Sequence, residues 1–155
     1  MSSQFALFVP HGEFKVVRQH NILLFRISGA WNLQCAQLFT DCIRNHIGKM
    51  SNGRPWVRIM DMSAWELSCP DATDHISRFA DWEDRHGCAG RSFCHVSATQ
   101  RQLLMKKYHM SNPPVLVDSV SRGIRWALRA VNLQQASVML ASMPISSMPD
   151  APVIL

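Results

Sequence analysis

The sequence is poor in charged residues, in tyrosine and in long apolar runs. Only 17% of the 155 residues are charged, and there is a single tyrosine. No apolar stretch reaches the roughly 18 residues that a membrane-spanning helix needs, so we expect no membrane span. The apolar stretch 5–9 lacks a basic flank and is too short for a secretory signal. We therefore expect a cytoplasmic protein.

Paired cysteine spacings are also missing. The five cysteines form no C-x-x-C motif, and an odd number of cysteines is atypical of a disulfide framework. We expect reduced, mostly buried thiols. A chain of this length with 47% apolar residues can bury an adequate core without disulfides or metals, as one domain.

Charge is unevenly distributed along the chain. Residues 1–84 hold eight basic and nine acidic side chains, whereas residues 85–155 hold eight basic and two acidic ones. The overall charge of +5 therefore belongs to the C-terminal half. Such an asymmetry points to a charged partner.

The hydrophobic pattern alternates between strand and helix periods. Strands are predicted over 13–19, 22–28, 56–62, 91–96 and 115–117. Helices are predicted from Asn32 to Gly48, from Pro70 to about residue 85, over 99–109 and over 119–131. The order ββαβαβαβα predicts an α/β fold with a mostly parallel or mixed sheet, helices packed on it and an antiparallel opening hairpin. One domain would span 1–131, followed by a tail over 132–155.

This order and its punctuating residues resemble the STAS domain of bacterial anti-sigma-factor antagonists and of sulfate-transporter tails. The segment Ile27–Asn32, followed by a helix carrying Ala36, is similar to the strand-Gly-x-Leu-Asp opening of that family. Asp61-Met62-Ser63 is similar to its Asp-Leu-Ser. The resemblance covers residues 14–131 and implies a regulatory, noncatalytic module that binds another protein, closest to uncharacterised STAS-like proteins.

The phosphorylation signature of that family, Asp-Ser-Ser-Gly, is not retained. Cys69-Pro70-Asp71-Ala72 stands at its position, so the acceptor serine is absent. Ser68 and Thr73 flank the same helix start and are the candidate phosphoacceptors, with capping as their ordinary role. Asp71 would act as a permanent negative charge. The predicted binding surface comprises Asp61, Ser63, Trp65, Ser68, Asp71 and Thr73.

Catalytic and metal signals are weak. His86 and Cys88 with Cys94 and His95 lack the two-to-four-residue ligand spacing of zinc sites, so we predict no metal and no cofactor. Cys69 at a helix N-terminus is the one thiol whose setting favours a thiolate. A small enzyme that uses Cys69 or Asp61 is the third hypothesis, ranked after a protein-interaction module and a module that binds a small ligand.

The last predicted helix carries a basic strip of Arg122, Arg125 and Arg129. Opposite it lies an apolar stripe of Val120, Ile124, Ala127, Leu128 and Val131. A solvated face explains such a strip, and an acidic partner is the alternative. Few aromatic residues lie among the basic ones, which disfavours nucleic acid. Trp126 falls away from the apolar stripe, which makes it a candidate interface residue.

The tail over 132–155 is apolar and contains Pro144, Pro149 and Pro152. Disordered tails are usually polar, so we expect this one to dock in extended form on its own domain or across a homodimer. An acidic helix with Asp71, Asp74, Asp81, Glu83 and Asp84 is mostly a solvated face that a second copy's basic strip could meet.

Two main hypotheses result. The first is a protein-interaction module, which a flat exposed patch would favour. The second is a module that binds a small ligand, nucleotide or lipid, outside the carboxyl ends of the strands. An apolar pocket with a few converging polar groups would favour the second hypothesis.

Overall fold

A computed structural model of the chain describes residues 10–50, 53–107 and 113–142, with Lys107 and residues 133–142 described through their backbone alone. Its elements are β1 (Glu13–Gln19), β2 (Ile22–Gly29), α1 (Leu33–Lys49), β3 (Trp56–Trp65), α2 (Pro70–Arg85), β4 (Cys88–Cys94), α3 (Ala98–Lys107), β5 (Val115–Val117) and α4 (Val120–Ser142). The predicted order ββαβαβαβα is confirmed.

The five strands form one mixed sheet whose spatial order follows the chain, β1-β2-β3-β4-β5. β1 pairs antiparallel with β2, from Glu13 opposite Ser28 to Gln19 opposite Ile22. The other three pairings are parallel. Right-handed crossovers in a sheet that grows in one direction place α1 and α2 on the same face.

The larger core lies on the α1 and α2 face of the sheet. Phe39 of α1 is its aromatic centre, with ring centroids 4.8 Å from Phe25, 5.3 Å from Trp31 and 5.7 Å from Phe14. These rings meet edge to face, the arrangement that aromatic quadrupoles favour. Ala72 and Phe79 of α2 close the same core.

β3 is the central strand, and both of its faces are covered. Met60 and Met62 belong to the core under α1 and α2, whereas Val57 and Ile59 belong to a second core under α4. Successive side chains of a strand point to opposite faces, so a doubly covered strand has almost no polar alternation.

α4 covers the second face of the sheet with only part of the predicted stripe: Ala127 and Val131 are buried there, and Val120 packs beside them. Gly123 lies against Ile59 and Cys94 of the sheet, and Ala127 is wholly buried. Ile124 and Leu128, predicted to face inward, are exposed. The helix is rotated so that small residues meet the sheet, because they let the helix approach closely.

Helix ends were predicted well where a cap decides them. Asn32 Oδ1 accepts the N–H of Cys35 at 3.0 Å, and Pro70 opens α2. Gly48 is not a cap, since α1 continues through it to Lys49 and Met50 takes the cap position. α4 runs to Ser142, beyond the predicted end at residue 131, so 132–142 is helical rather than extended. For residues 143–155, the predicted docking in extended form lies outside the described residues.

Candidate functional site

The loop from Glu66 to Cys69 follows the carboxyl end of β3, and backbone hydrogen bonds hold its first and last residues. The Glu66 N–H donates to Gly29 O and the Cys69 N–H to Trp31 O, both at 3.0 Å. Trp65 Nε1 donates to Ser68 Oγ at 3.0 Å within the same turn. The loop is therefore tied to the end of β2, yet Leu67 at its tip is 54% exposed.

The start of α2 follows directly from this loop. Cys69 occupies the N-cap position without a side-chain cap hydrogen bond. Thr73 Oγ1 donates instead to the Cys69 carbonyl at 3.2 Å. Asp71 in the first turn is exposed, where its carboxylate is favoured by the positive end of the helix dipole.

A cavity of about 310 Å³ lies beside the loop, at the carboxyl ends of the parallel strands. Elements from both halves of the domain line it: Ile27, Trp31, Phe39, Arg58, Met60, Met62, Trp65, Leu67, Ser68, Pro70, Thr73, Ile76, Ser77, Phe93, Leu103 and Leu104. Twelve of these sixteen side chains are apolar or aromatic. Trp65, Ser68 and Thr73 of the predicted binding surface are among them.

The polar groups in the cavity wall bond to the protein. Trp31 Nε1 donates to Ser28 O at 3.1 Å, and Ser68 Oγ accepts the indole N–H of Trp65. Arg58 is the one charged residue among the described residues of the lining, and its Nε and one terminal nitrogen donate to Glu83 at 2.7 and 2.9 Å. The cavity therefore presents an almost wholly apolar surface.

Several solved structures share this arrangement of strands and helices. The anti-sigma factor antagonist SpoIIAA in its unphosphorylated form matches with a TM-score of 0.55 and 13% identity, covering 76% of this chain and 98% of that one. An uncharacterised Shewanella loihica protein of the DUF3478 family, described as having a SpoIIAA-like fold, matches with a TM-score of 0.60 and 8% identity, covering 77% and 95%. This chain has a SpoIIAA-like fold.

A third match is an anti-sigma factor antagonist from Mycobacterium paratuberculosis, with a TM-score of 0.55, 13% identity and coverage of 76% and 94%. No protein-family model matches the sequence, and no curated protein matches it either. At these identities the comparisons establish the SpoIIAA-like fold, the STAS architecture that the sequence resembles. Within the described residues, no helix is long and apolar enough to cross a membrane.

A buried ion network beneath the cavity was missed by the sequence analysis. Arg58 of β3, Glu83 of α2 and Arg91 of β4 all have wholly buried side chains. Arg91 also reaches Asp84 at 2.9 Å. Glu83 was predicted on a solvated acidic face, and this is wrong: it faces the sheet because two strand arginines require a buried counter-charge.

Asp61 lies on the opposite side of the sheet from the cavity. It pairs with Arg26 at 3.2 Å and accepts the Ser63 N–H at 3.1 Å. Burial alone would raise the pKa of Asp61, but hydrogen bonds from Ser63 and Arg26 outweigh it and hold that pKa below its usual value. Asp61 and Ser63 therefore form a strand-end contact in this SpoIIAA-like fold, separate from Trp65, Ser68 and Thr73.

Among the residues that the structure describes, the thiols and imidazoles do not assemble into a reactive cluster. Cys88 is buried, and burial raises its pKa to about 12, whereas His86 is exposed and stacks on Trp82. Among the described side chains, no group of three His, Cys, Asp or Glu could hold a metal ion. Cys69 is exposed at the start of α2.

The basic strip lies on the outer side of α4. Arg122, Arg125 and Arg129 are exposed, and Arg122 pairs with Asp118 at 2.8 Å. Trp126, expected to be exposed or covered by something outside its own helix, is covered: it packs against the second core of its own domain. The reason is the rotation of α4, which turns the flank opposite Ile124 and Leu128 toward the sheet.

Proposed function

We propose that this chain is a noncatalytic regulatory module that binds another protein through its β3–α2 loop and the start of α2. We define the docking surface as Trp65, Leu67, Ser68, Asp71 and Thr73. The observation that carries the proposal is Leu67, an exposed apolar side chain on a hydrogen-bonded loop. A preformed loop loses little conformational entropy on binding, and a central apolar anchor is typical of binding hot spots.

The fold supports the same class of role. Two of the structures that share it are described as anti-sigma factor antagonists. We extend action through a partner protein, but not the identity of that partner, to this chain.

The charge around Leu67 defines the chemistry of the partner. Glu66 and Asp71 are both exposed and lie on either side of Leu67 along the chain. An apolar side chain between two carboxylates fits a partner surface with an apolar recess and a basic rim.

A pull-down with matched variants tests the docking surface. Wild type, Leu67→Ser and Leu38→Ser are used as baits in lysate of the source cell, and the captured proteins are quantified by mass spectrometry. Leu38 on α1 is 50% exposed against 54% for Leu67, so it controls for the loss of an exposed leucine. We expect one partner to be retained by wild type and Leu38→Ser and lost by Leu67→Ser. Identical partner sets for all three baits contradict the proposal.

We propose phosphorylation of Ser68 or Thr73 as the means of regulation. The Ser68 hydroxyl accepts the Trp65 indole N–H, so a phosphate there would break the loop's internal bond and add charge beside Asp71. Phosphopeptide mapping of the protein isolated from its cell tests this, and absence of phosphate at both residues under all growth conditions contradicts it.

We also propose a homodimer in which the basic strip of Arg122, Arg125 and Arg129 meets exposed carboxylates of α2. Asp71 and Asp81 of α2 are exposed, whereas Glu83 is buried in its ion pair with Arg58. Light scattering of the full chain at low and high salt tests this. A monomer at both salt concentrations contradicts it.

We propose that the protein acts in the cytoplasm. All five cysteines are free thiols, the usual state in a reducing compartment. Fractionation of the source cell tests this. Recovery of the protein in the membrane or secreted fraction would contradict it.

A further inference from the structure

We propose that the cavity between α2, α3 and the sheet is a binding site for a single acyl chain. This goes beyond the protein-binding function proposed above and does not depend on it. The cavity volume of about 310 Å³ lies at the lower end of the range for small-molecule sites. It is suited to one narrow chain rather than to a two-chain lipid.

The walls of the cavity offer apolar contacts on all sides. The inner lining includes Ile27, Phe39, Met60, Met62, Phe93 and Leu104, all buried. Apolar cavities of this kind hold water poorly and accept apolar ligands. Methionine side chains adapt to irregular ligand shapes, which suits a flexible chain.

The same walls exclude a nucleotide as the occupant. A phosphate group needs several charged or backbone donors directed at it. Within the described part of the chain, Arg58 is the one charged residue that lines the cavity, and Glu83 already engages its guanidinium at 2.7 and 2.9 Å.

The mouth of the cavity sets the orientation of the chain. Leu67 and Leu103 both line the cavity and are exposed, so an apolar path leads from its interior to water. The hydroxyl residues Ser68 and Thr73 line it between Leu67 and the body of α2. The chain therefore enters tail first, and its polar end stays at the mouth, because burying a charge in the apolar interior is costly.

Calorimetric titration of the full chain with dodecanoate, dodecanol and ATP tests the ligand class. We expect one dodecanoate or one dodecanol per protein, with dodecanoate below its micellar concentration and dodecanol below its solubility limit, and no heat from ATP. Absence of binding for both dodecyl compounds to folded protein overturns the proposal. Binding of ATP in their place overturns it as well.

Two matched variants of α3 locate the site. Leu103 lines the cavity and is 39% exposed, whereas Met105 on the same helix is 41% exposed and is not part of the lining. Leu103→Asp puts a carboxylate at the mouth and is expected to weaken dodecanoate binding by at least about tenfold. Met105→Asp is expected to leave the affinity within about twofold. Equal losses in both variants indicate adsorption to the surface and overturn the assignment.

Fluorescence quenching gives a second readout, one that introduces no charge at the mouth. A bromine on the last carbon of dodecanoate should quench the cavity tryptophans Trp31 and Trp65. We expect the quenched fraction to fall in Trp65→Phe and to persist in Trp126→Phe, since Trp126 packs in the core on the other face of the sheet. The reverse pattern overturns the proposed location.

Discussion

Arg58 and Glu83 form a two-pronged ion pair, with N···O distances of 2.7 and 2.9 Å, in which neither side chain is exposed to water. Glu83 also neutralises Arg91, 3.5 Å away, so a single carboxylate on α2 serves two strands. A charge removed from water is tolerated only while its partner is present. The attachment of α2 to the sheet therefore depends on Glu83.

Replacing Glu83 by glutamine should lower the free energy of unfolding by about 3–5 kcal/mol, because it leaves the buried Arg58 guanidinium without its counter-charge and Arg91 with Asp84 alone. Urea denaturation measures the change. The control is Asp41→Asn, which neutralises the exposed Arg44–Asp41 pair and should cost less than about 1 kcal/mol. Similar losses in the two variants would contradict the role given to Glu83.

Gly123 should tolerate no large side chain. A Cβ there would lie 3.0 Å from Ile59 Cγ2 and 3.2 Å from Cys94 Sγ, so Gly123→Leu forces α4 away from the sheet. We expect a loss of about 1–3 kcal/mol in unfolding free energy. Ser121→Leu, at an exposed position of the same helix, should have little effect. An equally stable Gly123→Leu protein would show that α4 does not approach the sheet closely.

Asp61 should make stability depend on pH at the acid end. Its pKa in the folded protein lies below its value in the unfolded chain, so the unfolded chain binds the proton more readily. The contribution of Asp61 is fully present above the unfolded pKa, about 4, and is lost as pH falls through the folded pKa. Unfolding free energies between about pH 6 and pH 2 should fall less steeply in Asp61→Asn. Parallel curves would refute this assignment.

Cys69 should be the thiol that reacts first in the native protein. It is exposed, whereas Cys35 and Cys94 are buried, and burial raises the pKa of each to about 11. A thiol reagent should therefore give one fast phase, which Cys69→Ser removes while the slow phases remain. A fast phase that survives the substitution would contradict the burial of the other cysteines. An unreactive Cys69 would remove the remaining basis for a thiol enzyme.

The element order could be predicted because it depends on local chemistry. Asn32 caps α1 and Pro70 begins α2 through interactions within one helical turn, so the sequence alone predicts both helix starts. The resemblance to the STAS domain rested on the element order and on residues at the ends of strands and helices, and the fold comparisons confirm it.

The features that escaped prediction depend on contacts between distant segments. No pattern within strand 56–62 marks Arg58 as part of a buried ion pair, and the packing of α2 on the sheet brings Glu83, 25 residues later, to it. The predicted stripe of α4 was correct for Ala127 and Val131. It was wrong for Ile124 and Leu128, because close packing places Gly123 rather than these large side chains against the sheet. The cavity arises where α2 and α3 pass over β3 and β4, and no single segment encodes it.

The sheet order β1-β2-β3-β4-β5 has a consequence for how the protein is made. Each strand pairs with the one synthesised just before it, so no strand must wait for a later segment to find its neighbour. In sheets whose first strands occupy the central positions, those strands have an unpaired edge until the chain is nearly complete. Here the opening hairpin can form on the ribosome and the sheet can grow by one strand at a time, with α1 and α2 closing over it as they emerge.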